Sequence, residues 1–122
     1  MITMNRECIF LTKAHRGADS TLFTGRPEGK EVRKELMLDE KDSTNKEYTV
    51  YIPEGTTSFN TSFFLGLFFA SIKKLGSISA FKDKYEINLS KLDSELIPSI
   101  ERNLKECFRK AENELNNSTG LD

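Results

Sequence analysis

Tryptophan is absent, histidine occurs once, cysteine twice and proline three times in this chain of 122 residues. A lone His15, with no cysteine or carboxylate pattern beside it, leaves no ligand set for zinc; it reads as a loop residue, and no metal or cofactor is implied. In a reducing compartment Cys8 and Cys107 both read as small core residues, with a disulfide between them as the disfavoured alternative. Charge of one sign is missing too. Eighteen basic side chains against 19 acidic ones give a net charge of −1 without a basic stripe, which argues against a nucleic-acid partner. The first residues lack the basic and apolar blocks of a secretory signal, so the cytosol is the expected compartment. There is no repeat, low-complexity segment or long linker. Residues 1–122 therefore read as one domain, its core spanning about 7–115, with 116–122 as a polar tail.

What is present centres on SFNTSFFLGLFFASIKKLG, Ser58 to Gly76. Thr61 or Ser62 can cap the first turn of a helix, Lys73 and Lys74 suit its negative end, and Gly76 can take the left-handed closing conformation. Between them Phe63, Phe64, Leu65, Leu67, Phe68, Phe69, Ile72 and Leu75 occupy every face of the cylinder. A helix apolar all round is buried all round. At about 22 Å it is shorter than the roughly 30 Å of a bilayer core, so it reads as a core helix and no membrane is expected.

Upstream, Glu7 to Lys13 (ECIFLTK) reads as a first strand and Thr21 to Thr24 as a short hairpin strand pairing back on it. GRPEGKEVRKELMLDE follows, with Pro27 placed for a first helical turn and Val32, Leu36 and Met37 as a narrow apolar stripe. Gly29 inside this helix costs about 1 kcal/mol of propensity and marks a close approach to the backbone. Gly25, Arg26 and Gly29 are candidate anion-binding residues, with a simple turn as the alternative. Lys41 to Lys46 is an exposed loop. Tyr48 to Ile52 (YTVYI) is β-branched and aromatic throughout, as expected of a central strand buried on both sides.

Pro53 ends that strand, and the loop after it delivers the core helix at the carboxyl edge of the sheet, where α/β sites are commonly built. Tyr85 to Leu89 reads as the next strand and Ser90 as a cap. From Leu92 apolar residues recur at three- and four-residue spacing to Leu115, giving a long amphipathic helix in which Pro98 either bends it or marks its start. Strands alternating with helices predict an α/β layered domain with a mixed or mostly parallel sheet of about four strands and helices packed on it.

Taken together, GRPEGKEVR, a strand, TTSFNTSFFLGLF and FKDKYEINLSKLDSELIPSIERNL resemble the STAS-like domain family of bacterial proteins, over the stretch from Thr24 to Cys107. That family is similar to the anti-sigma-factor antagonists. The resemblance implies a STAS-like single α/β domain that catalyses nothing, takes part in signalling and regulation, and binds an ATPase-type protein kinase. It also implies a regulated hydroxyl at the start of the core helix, within an acidic residue, Ser, Ser, Gly pattern. Asn60, Thr61, Ser62 and Phe63 stand at those places, with Thr61 at the phosphorylated one; asparagine replaces the acidic residue and phenylalanine the glycine.

The expected role is a non-enzymatic protein-interaction module. Its partner surface would comprise Phe59, Asn60, Thr61, Ser62 and Phe63, with Phe59 and Phe63 as aromatic anchors and Thr61 and Ser62 as candidate phosphorylation sites. The bland reading of the two hydroxyls is a helix cap. A hydrolase or transferase using Thr61, Ser62 or Ser58 as nucleophile needs a base that no local pattern supplies. A structural or homo-oligomeric subunit is the remaining reading.

Overall fold

A computed structural model of the chain describes residues 6–17 and 20–120. Residues 1–5, 18–19 and, in the polar tail, 121–122 lie outside the described residues. Three strands, β1 (Arg6–Phe10), β3 (Glu47–Tyr51) and β5 (Tyr85–Asn88), form a parallel sheet in the order β1-β3-β5. Two shorter strands, β2 (Leu22–Phe23) and β4 (Ser58–Phe59), form a separate parallel pair. The sheet of about four strands is thus corrected to three plus two. All pairings are parallel, so each needs a crossover, and the helices supply it. Leu22 and Phe23 do not pair back on β1, because their partner is the strand that leads into the core helix.

The helices are α1 (Lys13–Arg16), α2 (Arg26–Glu35), α3 (Leu38–Asp42), α4 (Thr61–Leu75), α5 (Ile78–Lys84) and α6 (Ile97–Gly120). His15 sits in α1 rather than a loop. Its Nδ1 accepts the Thr12 N–H at 3.1 Å and its Nε2 faces Glu35 Oε1 at 3.0 Å. The helix expected after Pro27 breaks at Met37, which takes a left-handed conformation (φ 57°), and α3 then uses the first residues of the expected Lys41–Lys46 loop. Ser77 caps α5, accepting the Ala80 N–H at 3.0 Å, so the segment leading into β5 is a helix. The last helix begins at Ile97, with Pro98 in its first turn as proline tolerates best, and runs on through residues expected as tail.

Helix α4 is the hub. It packs against α2, α3, α5 and α6, and Phe63 to Phe68 are buried on every side. Gly76 closes it in the left-handed region (φ 99°), its N–H bonding Ile72 O at 2.9 Å. Where α4 crosses α2 the backbones touch. A Cβ on Gly66 would meet the Arg26 carbonyl inside any real contact distance and Lys30 N at 3.1 Å, while one on Gly29 would meet Phe63 O and, at 2.9 Å, Leu67 N. The approach expected at Gly29 is therefore made by α4.

Phe68 and Phe81 carry this packing onto the sheet, their rings 6.2 and 5.2 Å from Tyr85. Beneath them Asp42, whose side chain is fully buried, binds Arg33 Nη2 at 2.6 Å, Ser71 Oγ at 2.7 Å and Tyr85 Oη at 2.6 Å. One carboxylate thus ties α2, α3, α4 and β5 together. Burial, then the hydrogen bond to Asp42, pushes the Tyr85 phenol well above its usual range.

Among the described residues, only one face of the main sheet carries helices. The register places Cys8, Thr49 and Glu86 in one row of the other face and Phe10, Tyr51 and Asn88 in the next. There Arg6 reaches Thr49 and Glu47 at 3.0 and 2.6 Å, Phe10 stacks on Tyr51 at 5.0 Å, and Lys91 lies 4.7 Å above Phe10. The middle of the central strand is buried on both faces as expected, Tyr48 and Val50 on one and Thr49 on the other, although helices among the described residues cover only the first. Cys8 is exposed rather than core, because β1 turns it outward. Cys107 is buried as expected, and burial pushes its thiol up to about 12. No single helix among the described residues is long and apolar enough to cross a membrane; α4 and α5 qualify only together and bend by 104° at their junction.

Candidate functional site

The segment from Pro53 to Ser62 joins β3 to α4, and its backbone is held from three directions. Arg16, itself nearly buried, donates from Nη1 to Thr56 Oγ1 at 2.7 Å and to the Glu54 carbonyl at 3.2 Å, and from Nε to the Ser20 carbonyl. Thr56 is fully buried and donates to the Pro53 carbonyl at 2.8 Å. On the β2 side, Thr57 N–H bonds Thr21 O and Asn60 N–H bonds Phe23 O, both at 2.7 Å. On the other side Asn103 of α6 imitates a strand: its Oδ1 accepts the Phe59 N–H at 2.6 Å and its Nδ2 donates to the Phe59 carbonyl at 2.9 Å. A strand of two residues gains both edges this way.

The chain enters α4 through Asn60. Its backbone is extended (φ −70°, ψ 141°), and its Oδ1 accepts the Ser62 N–H at 2.8 Å. Asparagine is a strong N-cap for that reason. The cap expected of Thr61 or Ser62 is therefore made one residue earlier, and both hydroxyls lie in the first helical turn instead. Ser62 is exposed and Thr61 half-buried, and neither hydroxyl has a hydrogen-bond partner among the described residues. First-turn amides and the positive end of the helix macrodipole face the same side.

The aromatic anchors are corrected. Phe59 is 3% exposed and Phe63 0%. Phe59 stacks on Phe23 at 4.8 Å, and Phe63 tilts against Phe23 at 4.9 Å, so these rings hold the β2–β4 pair onto α4 and offer no surface to a partner. What faces outward is polar: Thr57, Asn60 and Ser62, with Glu54 and Gly55 on the loop.

Gly25, Arg26 and Gly29 lie at the start of α2. Gly25 takes a positive φ (96°) as its N-cap, and the Glu28 carboxylate folds over it. Arg26 pairs with Glu114 Oε1 at 2.6 Å and lies 5.9 Å above the Phe69 ring. Gly29 faces α4. Turn geometry, an ion pair and helix packing account for all three. Of the three candidate nucleophiles, Ser58 is half-buried in β4, and the only histidine is taken up by Thr12 and Glu35. No group of His, Cys, Asp or Glu able to hold a metal ion occurs among the described residues.

Fold and site together define an α/β domain with a parallel three-stranded sheet, whose core helix opens with a capped, polar, solvent-facing turn. No family model, curated protein or solved structure matches the chain.

Proposed function

We propose that this domain is a non-enzymatic, regulatory protein-interaction module that docks its partner on the solvent face of the β4–α4 junction: Thr57, Asn60, Thr61 and Ser62. The observation that carries the reading is the separation of roles at the helix start. Asn60 does the capping, the aromatics do the packing, and the two hydroxyls are left presented on a turn whose backbone is fixed by Arg16, Asn103 and β2. A surface held this firmly loses little conformational entropy on binding.

The partner class suggested by the STAS-like resemblance is an ATPase-type protein kinase, and a hydroxyl at a helix start is a chemically sound target for it. Phosphate there would add about −1.5 to −2 charges beside free amides and the positive helix end. Ser62, the more exposed of the two, is the better acceptor on geometry; Thr61 is the one the resemblance favours. The test is a pull-down from native cell extract with wild type, Thr61→Glu and Ser62→Glu as parallel baits, read by mass spectrometry. Retention of a kinase-type ATPase by wild type, with loss from a glutamate variant, is the expected result. Identical partners on all three baits would remove the helix start from the interface.

A second reading, a subunit of a larger assembly, is favoured by one observation. Parallel sheets are ordinarily covered on both faces, whereas here Phe10 is 48% exposed on the bare one. A mass that rises with concentration, and falls back in Phe10→Ser, would support it.

A further inference from the structure

The free edge of the main sheet at β5 lies beside a groove. β5 pairs only with β3 among the described residues. The Asn88 carbonyl accepts the Ile52 N–H at 3.3 Å, so Asn88 faces β3, and by alternation Ile87 turns its N–H and C=O to the outer edge. Along that edge runs a groove of about 500 Å³ between β5 and α6, with Ile87, Leu104 and Phe108 among its lining. A further strand paired on β5 would lie about 4.8 Å away, beside the α6 side chains that line the groove.

Charge runs along the groove. At the β5 start Lys82 lies 4.5 Å above the Phe108 ring, with Lys105 one turn away on α6. Glu101 lines the groove a further turn back, toward the end of β5. None of these three charges has an ion pair among the described residues. The groove thus offers a row of edge hydrogen-bonding groups, an apolar floor, and unpaired charges of opposite sign at its two ends, which is the chemistry of strand addition.

We propose that this groove binds an extended peptide segment of a partner protein as an added strand on β5. Alternate apolar side chains of the segment would face Ile87, Leu104 and Phe108, with an acidic residue at the Lys82 and Lys105 end and a basic residue at the Glu101 end. This surface is distinct from the β4–α4 junction and does not rest on it.

The test is a random eight-residue peptide library panned over the full chain, followed by fluorescence anisotropy with the best peptide. Enrichment of an acidic residue, apolar residues at alternate positions and a basic residue, in either chain direction, is expected. The Lys82→Glu/Lys105→Glu double variant should weaken that peptide about ten-fold. Replacing the peptide's acidic residue by lysine should restore binding to the variant. Ile87→Pro removes the edge donor without touching the β3 ladder and should also weaken binding, whereas Ser62→Glu should leave it unchanged. Should Ile87→Pro fail to fold, the charge exchange, made on exposed residues only, decides alone. No enrichment, binding indifferent to the charge exchange, or a concentration-dependent mass lost in Ile87→Pro would each overturn the proposal, the last by giving the edge to a second copy.

Discussion

Replacing Gly66 by alanine should unseat the helix pair at the centre of the fold. The new methyl would fall on the Arg26 carbonyl and within 3.1 Å of Lys30 N, both backbone atoms of α2, where ordinary contact begins at 3.4 Å. A side chain could swing aside, but a helix backbone cannot, so α2 and α4 must part by about 1 Å, enough to forfeit a quarter to a half of the dispersion attraction across the seam. Overpacking of this kind costs about 1–3 kcal/mol. The clash is backbone on both sides, which argues for the upper end, and alanine's helix propensity returns about 1 kcal/mol. The net loss expected is about 2 kcal/mol, or about 8 °C in Tm for a domain of this size. Urea unfolding and thermal melts followed by circular dichroism measure it. Gly29→Ala should cost a similar amount, and the double variant less than the sum, because helices already parted by one methyl admit the second more cheaply. A Gly66→Ala protein as stable as wild type, or more so, would refute the close crossing.

Asp42→Ala should be among the more damaging single changes: Arg33 keeps Asp39 at 2.7 Å and Ser71 at 2.8 Å, but the buried Tyr85 hydroxyl loses its acceptor and the tie between α3 and β5 is cut, so a loss of about 3 kcal/mol in urea unfolding is expected. Asn103→Ala leaves the Phe59 N–H without a partner and its carbonyl with only the Cys107 thiol at 4.0 Å, and should cost about 1–3 kcal/mol, with faster amide exchange at Phe59 by NMR. In native protein one thiol, that of exposed Cys8, should react with a thiol reagent at pH 8, and Cys8→Ser should abolish the reaction, since Cys107 is buried and protonated. The raised Cys107 pKa means the folded state holds its proton more tightly than the unfolded chain. Its contribution to stability is full below the ordinary 9.0 and declines as pH rises toward about 12, so alkaline unfolding should be shallower in Cys107→Ala over that window.

The sequence announces α4 through its composition: apolar on every face, polar at the start, lysines and glycine at the end. All of these find their places except that Asn60, not Thr61 or Ser62, makes the cap. Met37 hides the break between α2 and α3, since nothing in a methionine announces a left-handed residue. The pairing of Leu22 and Phe23 with Ser58 and Phe59 is likewise invisible, because two residues hold no periodicity and their strand character comes from each other and from Asn103.

At the site, polar neighbours made Phe59 and Phe63 look like surface aromatics, yet alternation in β4 and the helix turn carry both rings inward. Asn103 did leave a trace. It stands three residues after Ile100 and four before Cys107, a polar residue on an otherwise apolar stripe, and such a residue usually has a buried partner. Arg16 left none, because, beyond the nearby Ser20 carbonyl, the groups it binds are a loop carbonyl and a threonine that only the fold brings to it.

The central claim is that a partner protein grips the solvent face of the α4 start. A photo-reactive side chain placed at Ser62, and as a control at exposed Lys34 on α2, then irradiated in native cell extract, tests it most directly. The claim predicts a covalent adduct with an ATPase-type kinase from position 62 and none from position 34. No adduct from position 62, or the same adducts from both positions, would contradict it.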